Sequence, residues 1–269
     1  MEPNTVAVEI GMTGELFLEK NGLSPEDNVD RQPAGINFYQ HRWRQDDLGI
    51  VQIHHGDYGF RIPFVLGFTG AENTERPDNG IGSFSVRAGI TESSDVSHDE
   101  ARITLMRFLS ALRKKGWRPL IDYNQPRLGG EEAYQYFAKN RSFGTPADHH
   151  LTLEQWMALG RFANWYLYAD DITLTIRFNR DRTRMDPDKA GAYLFSFDLS
   201  TTERRAKGYF SPEIRDDWQD LWADKIRGFK RERLAKEAIL EEKGFTINRD
   251  YQDPIIHPAD PIELEEITP

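Results

Sequence analysis

Four segments of the sequence alternate between large apolar and polar residues, and this pattern constrains the fold more than any other feature. Residues 60–68 and 84–90 carry one such pair of series, and residues 172–178 and 193–199 carry a second pair. Because successive side chains of a strand point to opposite faces, each pair predicts a β-hairpin with one apolar face. The first strand places five large groups on one face by this pattern: Phe60, Ile62, Phe64, Leu66 and Phe68. Pro63 lacks an N–H group, which predicts an edge position for that strand.

An amphipathic helix is predicted after each hairpin. Ser97 followed by Glu100 is typical of a capping box at a helix start, and Gly116 is typical of a helix end. The second helix is predicted over residues 212–243, with Ser211 as its cap and Pro212 in its first turn. The sequence therefore repeats the order hairpin, helix, helix stop.

The two helix stops also share a short motif. Lys115-Gly116-Trp117 is followed by Asp122-Tyr123 and Pro126, and the same spacing recurs in Lys243-Gly244-Phe245, Asp250-Tyr251 and Pro254. We interpret both copies as joints where a helix ends and a strand begins, at residues 117–121 and 245–247. A coincidence of this size within one chain remains the alternative to duplication.

These patterns predict an α+β fold of two tandem, diverged β-hairpin–helix–strand units, with a mainly antiparallel sheet and helices on one face. The predicted domains are N-terminal strands and a connector at 1–56, a first unit at 57–150, a second unit at 151–256 and an extended C-terminal tail at 257–269.

Composition narrows the classes of function. The formal charge of −10 and the pI near 5.3 argue against nucleic-acid binding, which needs a dense basic face. The absence of cysteine excludes disulfides, thiol catalysis and cysteine-bound metals. No apolar run is long enough to span a membrane, and the first residues lack the pattern of a signal peptide. A cytoplasmic protein is expected, or a periplasmic one if a leader has been removed.

No motif for a known reaction, metal or cofactor is present, so we expect neither enzymatic activity nor a cofactor. Adjacent histidines on a strand point apart, and adjacent carboxylates do not face each other across a cleft. A hydrolase-like enzyme with a dispersed site between the two units is the alternative. Its site would have to be assembled from the following residues: His54, His55, Asp57, His149, His150 and Asp170.

The two long polar loops at residues 69–80 and 179–190 are the preferred candidates for function. Arginine is enriched at the centres of protein interfaces, and mixed charge on a hairpin tip suits recognition of a charged protein. The predicted partner-binding residues are Arg180, Asp181, Arg182, Arg184, Asp186, Asp188, Glu72, Glu75 and Asp78.

The sequence thus favours a soluble, non-catalytic protein-binding module. Its acidic charge suits an inhibitor or immunity-type protein that neutralises a partner with a basic face, such as a bacterial toxin or effector. An adaptor or scaffold of a secretion-type assembly fits the same features. The partner and the oligomeric state remain open.

Overall fold

The computed structural model describes residues 4–138 and 144–256, so the predicted tail at 257–269 lies outside the described residues. The strands are β1 (Thr5–Glu9), β2 (Val29–Gln32), β3 (Ile36–Arg42), β4 (Gly49–His54), β5 (Phe60–Asn73), β6 (Ile81–Ala88), β7 (Asp95–Ser97), β8 (Arg118–Pro119), β9 (Phe162–Ala169), β10 (Ile172–Arg180) and β11 (Ala190–Thr201). The helices are α1 (Gly14–Asn21), α2 (Pro25–Asn28), α3 (His98–Lys114), α4 (Gly130–Ala138), α5 (Leu153–Ala158), α6 (Thr202–Lys207) and α7 (Trp218–Glu242).

The strands form a large, mostly antiparallel sheet. The order along it is β1-β4-β5-β6-β11-β10-β9-β8, while β2 pairs with β3, β3 with β5, and β7 with β11. The pairing of β1 with β4 is parallel. The mixed α and β architecture and the antiparallel sheet are therefore confirmed.

The described chain divides into two compact units that interleave along the sequence. The first comprises Met1–Trp117, Leu151–Asn164 and Leu174–Ser200, and the remaining segments form the second. Both predicted hairpins contribute to the first unit, where β6 pairs with β11. The predicted arrangement of two tandem units is not confirmed.

The two faces of the first unit's sheet differ in side-chain size. Phe68, Val86 and Phe197 are directly opposite one another on β5, β6 and β11, and all three are buried. Phe108 of α3 packs on Phe197 with ring centroids 5.5 Å apart. The helix therefore covers the face that carries the large apolar groups, as the alternation predicts.

A bulge interrupts the alternation that the sequence predicts for β5. Val51 pairs with Ile62, whereas Gly49 pairs with Val65, so β5 contains an extra residue. Phe64 has φ of 57°, which is rare for an aromatic residue, and Val65 is fully buried. The prediction that Pro63 marks an edge strand is wrong, because β5 pairs on both sides. Pro63 lies between the paired residues Ile62 and Val65, and the pairing of β5 with β6 begins at Val65, so its missing N–H removes none of these pairings.

Both predicted helix stops have the same hydrogen-bond pattern. Gly116 and Gly244 adopt φ of 98° and 86°, and the next residue, Trp117 or Phe245, donates its N–H to a carbonyl five residues earlier. This is the Schellman motif, so the repeated Lys-Gly-aromatic segment acts as a helix stop. No strand follows Phe245 in the described residues, and the prediction of one at 245–247 is wrong.

The long helix begins later than predicted. Pro212–Ile214 forms a separate 3₁₀ turn, and α7 starts at Trp218. Ser211 makes no capping hydrogen bond, so the expected N-cap does not form. Trp218, Trp222 and Ile226 of α7 pack with Tyr123 in the core of the second unit.

The two Asp-Tyr-x-x-Pro segments lie against each other in the second unit. Tyr251 accepts a hydrogen bond from the Ile121 N–H at 2.9 Å, and Tyr123 donates to the Pro254 carbonyl at 3.4 Å. Arg233 of α7 donates to the carbonyls of the first segment and forms an ion pair with Asp253 in the second. The two copies of the repeated motif therefore contribute to the packing of the second unit.

A second buried ion pair joins α7 to Arg127, the residue after the first Asp-Tyr-x-x-Pro segment. The Arg127 guanidinium donates two hydrogen bonds to the Glu237 carboxylate, at 2.8 and 2.7 Å, and both side chains are buried. Burial alone would raise the pKa of Glu237. The hydrogen bonds and charge of Arg127 outweigh that effect, and the pKa lies below its usual value.

Glu237→Gln is expected to destabilise the protein by about 3–5 kcal/mol, because it leaves the Arg127 cation buried without its partner. The double variant Arg127→Met/Glu237→Gln should cost clearly less than the sum of Glu237→Gln and Arg127→Met, which complete a double-variant cycle with the wild type. Urea unfolding of the four proteins measures this cycle. The control is Glu241→Gln on the same helix, whose ion pair with Arg249 is exposed and should contribute less than about 1 kcal/mol.

Candidate functional site

The loop between β10 and β11, residues 181–189, consists of two consecutive turns. Asp181 Oδ1 accepts hydrogen bonds from the N–H and hydroxyl of Thr183, at 2.9 and 2.8 Å. Asp186 Oδ1 accepts in the same way from the Asp188 N–H at 3.1 Å. Aspartate favours such turns because its side chain satisfies backbone donors two residues on. The loop thus has a defined conformation without a ligand.

The charged side chains of the loop fall into two groups. Arg184 forms an ion pair with Asp95, the first residue of β7, and Lys189 pairs with Asp186 at 2.9 Å. Arg182 and Asp188 are exposed, and their side chains have no hydrogen-bond or ion-pair partner among the described residues. Arg182 and Asp188 thus face solvent without a partner, whereas the exposed Asp181 carboxylate accepts hydrogen bonds from Thr183.

Arg180 lies at the base of this loop and is fully buried, with 0% of its surface exposed. Its guanidinium carbon lies 5.1 to 5.5 Å from the ring centroids of Trp156, Phe178 and Tyr193. The guanidinium also donates to the Trp156 carbonyl at 2.9 Å. No carboxylate of the described chain pairs with Arg180, and burial lowers the pKa of its guanidinium. Aromatic rings take the place of a counter-ion.

His98 completes this base, although its sequence context indicates only helix capping. The imidazole is 0% exposed, and its Nδ1 forms a short hydrogen bond with the Tyr193 hydroxyl. The same hydroxyl accepts from the Trp156 indole N–H at 2.9 Å. Burial and the nearby Arg180 charge lower the pKa of His98. All of these groups are covered by protein, so they hold the hairpin and cannot meet a substrate.

Gly191 is required where β11 leaves the loop. A Cβ atom at this position would lie 2.5 Å from Cε1 of His98, closer than packed atoms allow. Gly191 also pairs with Val96 of β7. The hairpin is therefore fixed on two sides at its base, by β7 and by the ring cluster.

The loop predicted at residues 69–80 is shorter than expected, and it does not lie beside the 181–189 loop. Strand β5 continues to Asn73, so the loop comprises residues 74–80. Glu72 is correspondingly 9% exposed and hydrogen-bonds the Tyr39 hydroxyl at 2.6 Å and the Gly14 N–H at 3.0 Å. Burial and the adjacent carboxylate raise the pKa of Tyr39 to about 12. Only Glu75 and Asp78 of the predicted residues in this loop are exposed.

The two loops are at opposite ends of β6. Ser83, near the start of β6, pairs with Ser200, and Ala88, at its end, pairs with Phe195. The 74–80 loop precedes β6, whereas the 181–189 loop precedes β11, and the two strands are antiparallel. Strand β6 has 8 residues, which corresponds to about 25 Å. The predicted partner-binding residues therefore do not form one surface, and Arg180 and Glu72 are not on any surface.

The residues of the alternative enzyme site are distributed over both units. His54, His55 and Asp57 belong to the first unit, and the imidazole of His55 packs on Tyr58 at 5.2 Å. In the second unit, His149 Nε2 lies 3.3 Å from a Glu131 carboxylate oxygen.

Asp170 is a further candidate for the alternative enzyme site. Asp170 occupies the turn between β9 and β10 with φ of 52°. Within the described residues, no group of three or more His, Asp or Glu side chains is placed to hold a metal ion.

Comparison with known protein families, with curated proteins and with solved structures gives no match. Within residues 4–138 and 144–256, no helix has both the length and the apolar character needed to cross a membrane.

His98 predicts a pH dependence of stability. Its pKa in the folded state lies below the unfolded value of about 6.5, so the unfolded state binds more protons between the two values. Stability is therefore lost as the pH falls below about 6.5. In urea unfolding at about pH 7.5 and about pH 5.5, His98→Gln should lose less stability between the two conditions than the wild type. Equal losses in both proteins would contradict this assignment.

Substitutions of Arg180 should separate its volume from its charge. Arg180→Ala removes a large buried side chain and should cost about 2–5 kcal/mol. Arg180→Met fills most of the same space without a buried charge, and should cost less than about 1.5 kcal/mol. Urea unfolding compares the two variants. If Arg180→Met is as destabilising as Arg180→Ala, the contacts of the cation with the rings outweigh its desolvation.

Proposed function

We propose that this chain is a non-catalytic binding protein whose 181–189 loop contacts a protein partner. The observation that carries the proposal is the combination of an exposed, charged tip with a rigid base. Arg182 and Asp188 are available for intermolecular contacts, while Arg180, His98 and Tyr193 hold the strands beneath them.

Preorganisation supports binding because a partner does not have to order the loop. Freezing a flexible loop opposes association, and a loop closed by its own aspartate turns avoids much of that cost. The Arg184–Asp95 ion pair further restricts the tip relative to β7.

The charge pattern indicates the kind of contact. The loop carries both signs, so the partner surface would present a carboxylate to Arg182 and a cation to Asp188. The formal charge of −10 favours long-range attraction of a partner with a basic face. A neutralising role against a toxin or effector is the narrower form of this proposal, and an adaptor role is its alternative.

The experiment is affinity capture from a lysate of the source cells with matched variants. Arg182→Ala/Asp188→Ala removes the two unpaired charges and should reduce capture of a wild-type-dependent protein at least about tenfold. Glu75→Ala/Asp78→Ala, at the other end of β6, should capture as well as the wild type.

Both double variants should unfold at the wild-type denaturant concentration, because none of the four side chains contributes to a buried contact. Capture that is unchanged by the Arg182/Asp188 variant would overturn the proposal. Turnover of a substrate by the purified chain would favour the alternative of an enzyme.

A further inference from the structure

A second surface lies on the uncovered face of the first unit's sheet. On this face, three cross-strand rows on β5, β6 and β11 carry small or short side chains, with the exception of Arg87. The rows are Gly67, Arg87 and Ser196; Thr69, Ser85 and Asp198; and Ala71, Ser83 and Ser200. Arg87 is the long side chain among these small ones, and it is exposed.

This face contains a groove of about 450 Å³ between β6, β11, β10 and β9. Phe162 and Leu194, which line it, are 58% and 38% exposed, so two large apolar side chains face solvent there. Exposed apolar groups gathered in one groove are typical of an interaction site, whereas single scattered ones are not.

The charge around the groove is opposite in sign to that of the whole chain. Arg87 and Arg177 line it, and none of its described lining residues carries a carboxylate. Arg161 is adjacent, with its guanidinium 4.6 Å from the Phe162 ring. Asp198, paired with Arg177, is the carboxylate on the neighbouring row. Arg87 has no hydrogen-bond or ion-pair partner within the described residues.

We propose that this groove binds an acidic protein segment that carries large apolar side chains. The carboxylates of the segment would pair with Arg87 and Arg177, and its apolar groups would cover Phe162 and Leu194. Arginine suits this role because its planar guanidinium can donate two hydrogen bonds to one carboxylate. This surface is separate from the loop of the proposed function.

Charge decides between an acidic segment and other occupants. A nucleic acid would require many cations along its path, whereas Arg87, Arg177 and Arg161 are the cations described at this groove, on a molecule of formal charge −10. A basic partner would place like charges opposite the arginines. A second copy of this strongly acidic chain would meet overall repulsion.

Fluorescence anisotropy with labelled probes tests the proposal. The probes are a short peptide in which Glu alternates with Leu, its counterpart with Lys in place of Glu, and a short oligothymidylate. The wild type should bind the Glu peptide, and binding should weaken as salt is added. Arg87→Glu should weaken binding about tenfold, and Phe162→Ser should also weaken it.

The matched control is Arg107→Glu, which makes the same charge change at an exposed position of α3, the helix on the opposite face. This variant should bind the Glu peptide like the wild type, and urea unfolding should show all three variants to be folded. Equal binding of the Glu and Lys peptides would overturn the proposal, as would stronger binding of the oligothymidylate, concentration-dependent dimerisation through this face, or no binding at all. None of these outcomes would affect the capture experiment on the 181–189 loop.

Discussion

The pairing of β6 with β11 determines where the candidate surfaces of the first unit lie. It merges two hairpins, similar in sequence pattern, into one sheet and aligns Val86 with Phe197 on the covered face and Arg87 with Ser196 on the open face. Because the strands are antiparallel, the same pairing sends the 74–80 and 181–189 loops to opposite ends. A shift of this register by one residue would exchange the apolar and polar faces. The apolar contacts with α3 therefore also define the open face.

The base of the 181–189 loop shows how a charged residue can be structural while its neighbours remain available for recognition. Arg180 and Arg182 are two positions apart, yet the first is enclosed by aromatic rings and the second is exposed. Strand geometry alone does not produce the difference, because residues two apart share a face. The difference arises because β10 ends at Arg180 and the chain turns at Asp181. The buried cation anchors the strand end, and the aspartate turn redirects the chain into solvent.

The sequence predicted features that depend on local patterns. The hairpins, the start of α3 at Ser97 and both glycine helix stops follow from alternation and capping chemistry, and the structure confirms them. The bulge at Phe64 was not predictable, because one inserted residue leaves the apolar composition of β5 unchanged. Glu72 was assigned to a loop because it is charged, whereas its burial depends on Tyr39, which is remote in sequence. The ring cluster around Arg180 is likewise assembled from distant segments.

The formal charge of the whole chain and the charge of the groove residues are opposite in sign. The formal charge of −10 suggests a basic partner at long range, but the groove on the open face is lined by Arg87 and Arg177, with Arg161 adjacent to it. Asp198 pairs with Arg177 there. Long-range attraction depends on the total charge, whereas the contacts of a docked segment depend on groups within about one Debye length, roughly 8–10 Å. The two surfaces can therefore differ in the sign of what they bind. The two proposed surfaces consist of different side chains, because the loop tip presents Arg182 and Asp188 whereas the groove is lined by Arg87, Arg177, Phe162 and Leu194.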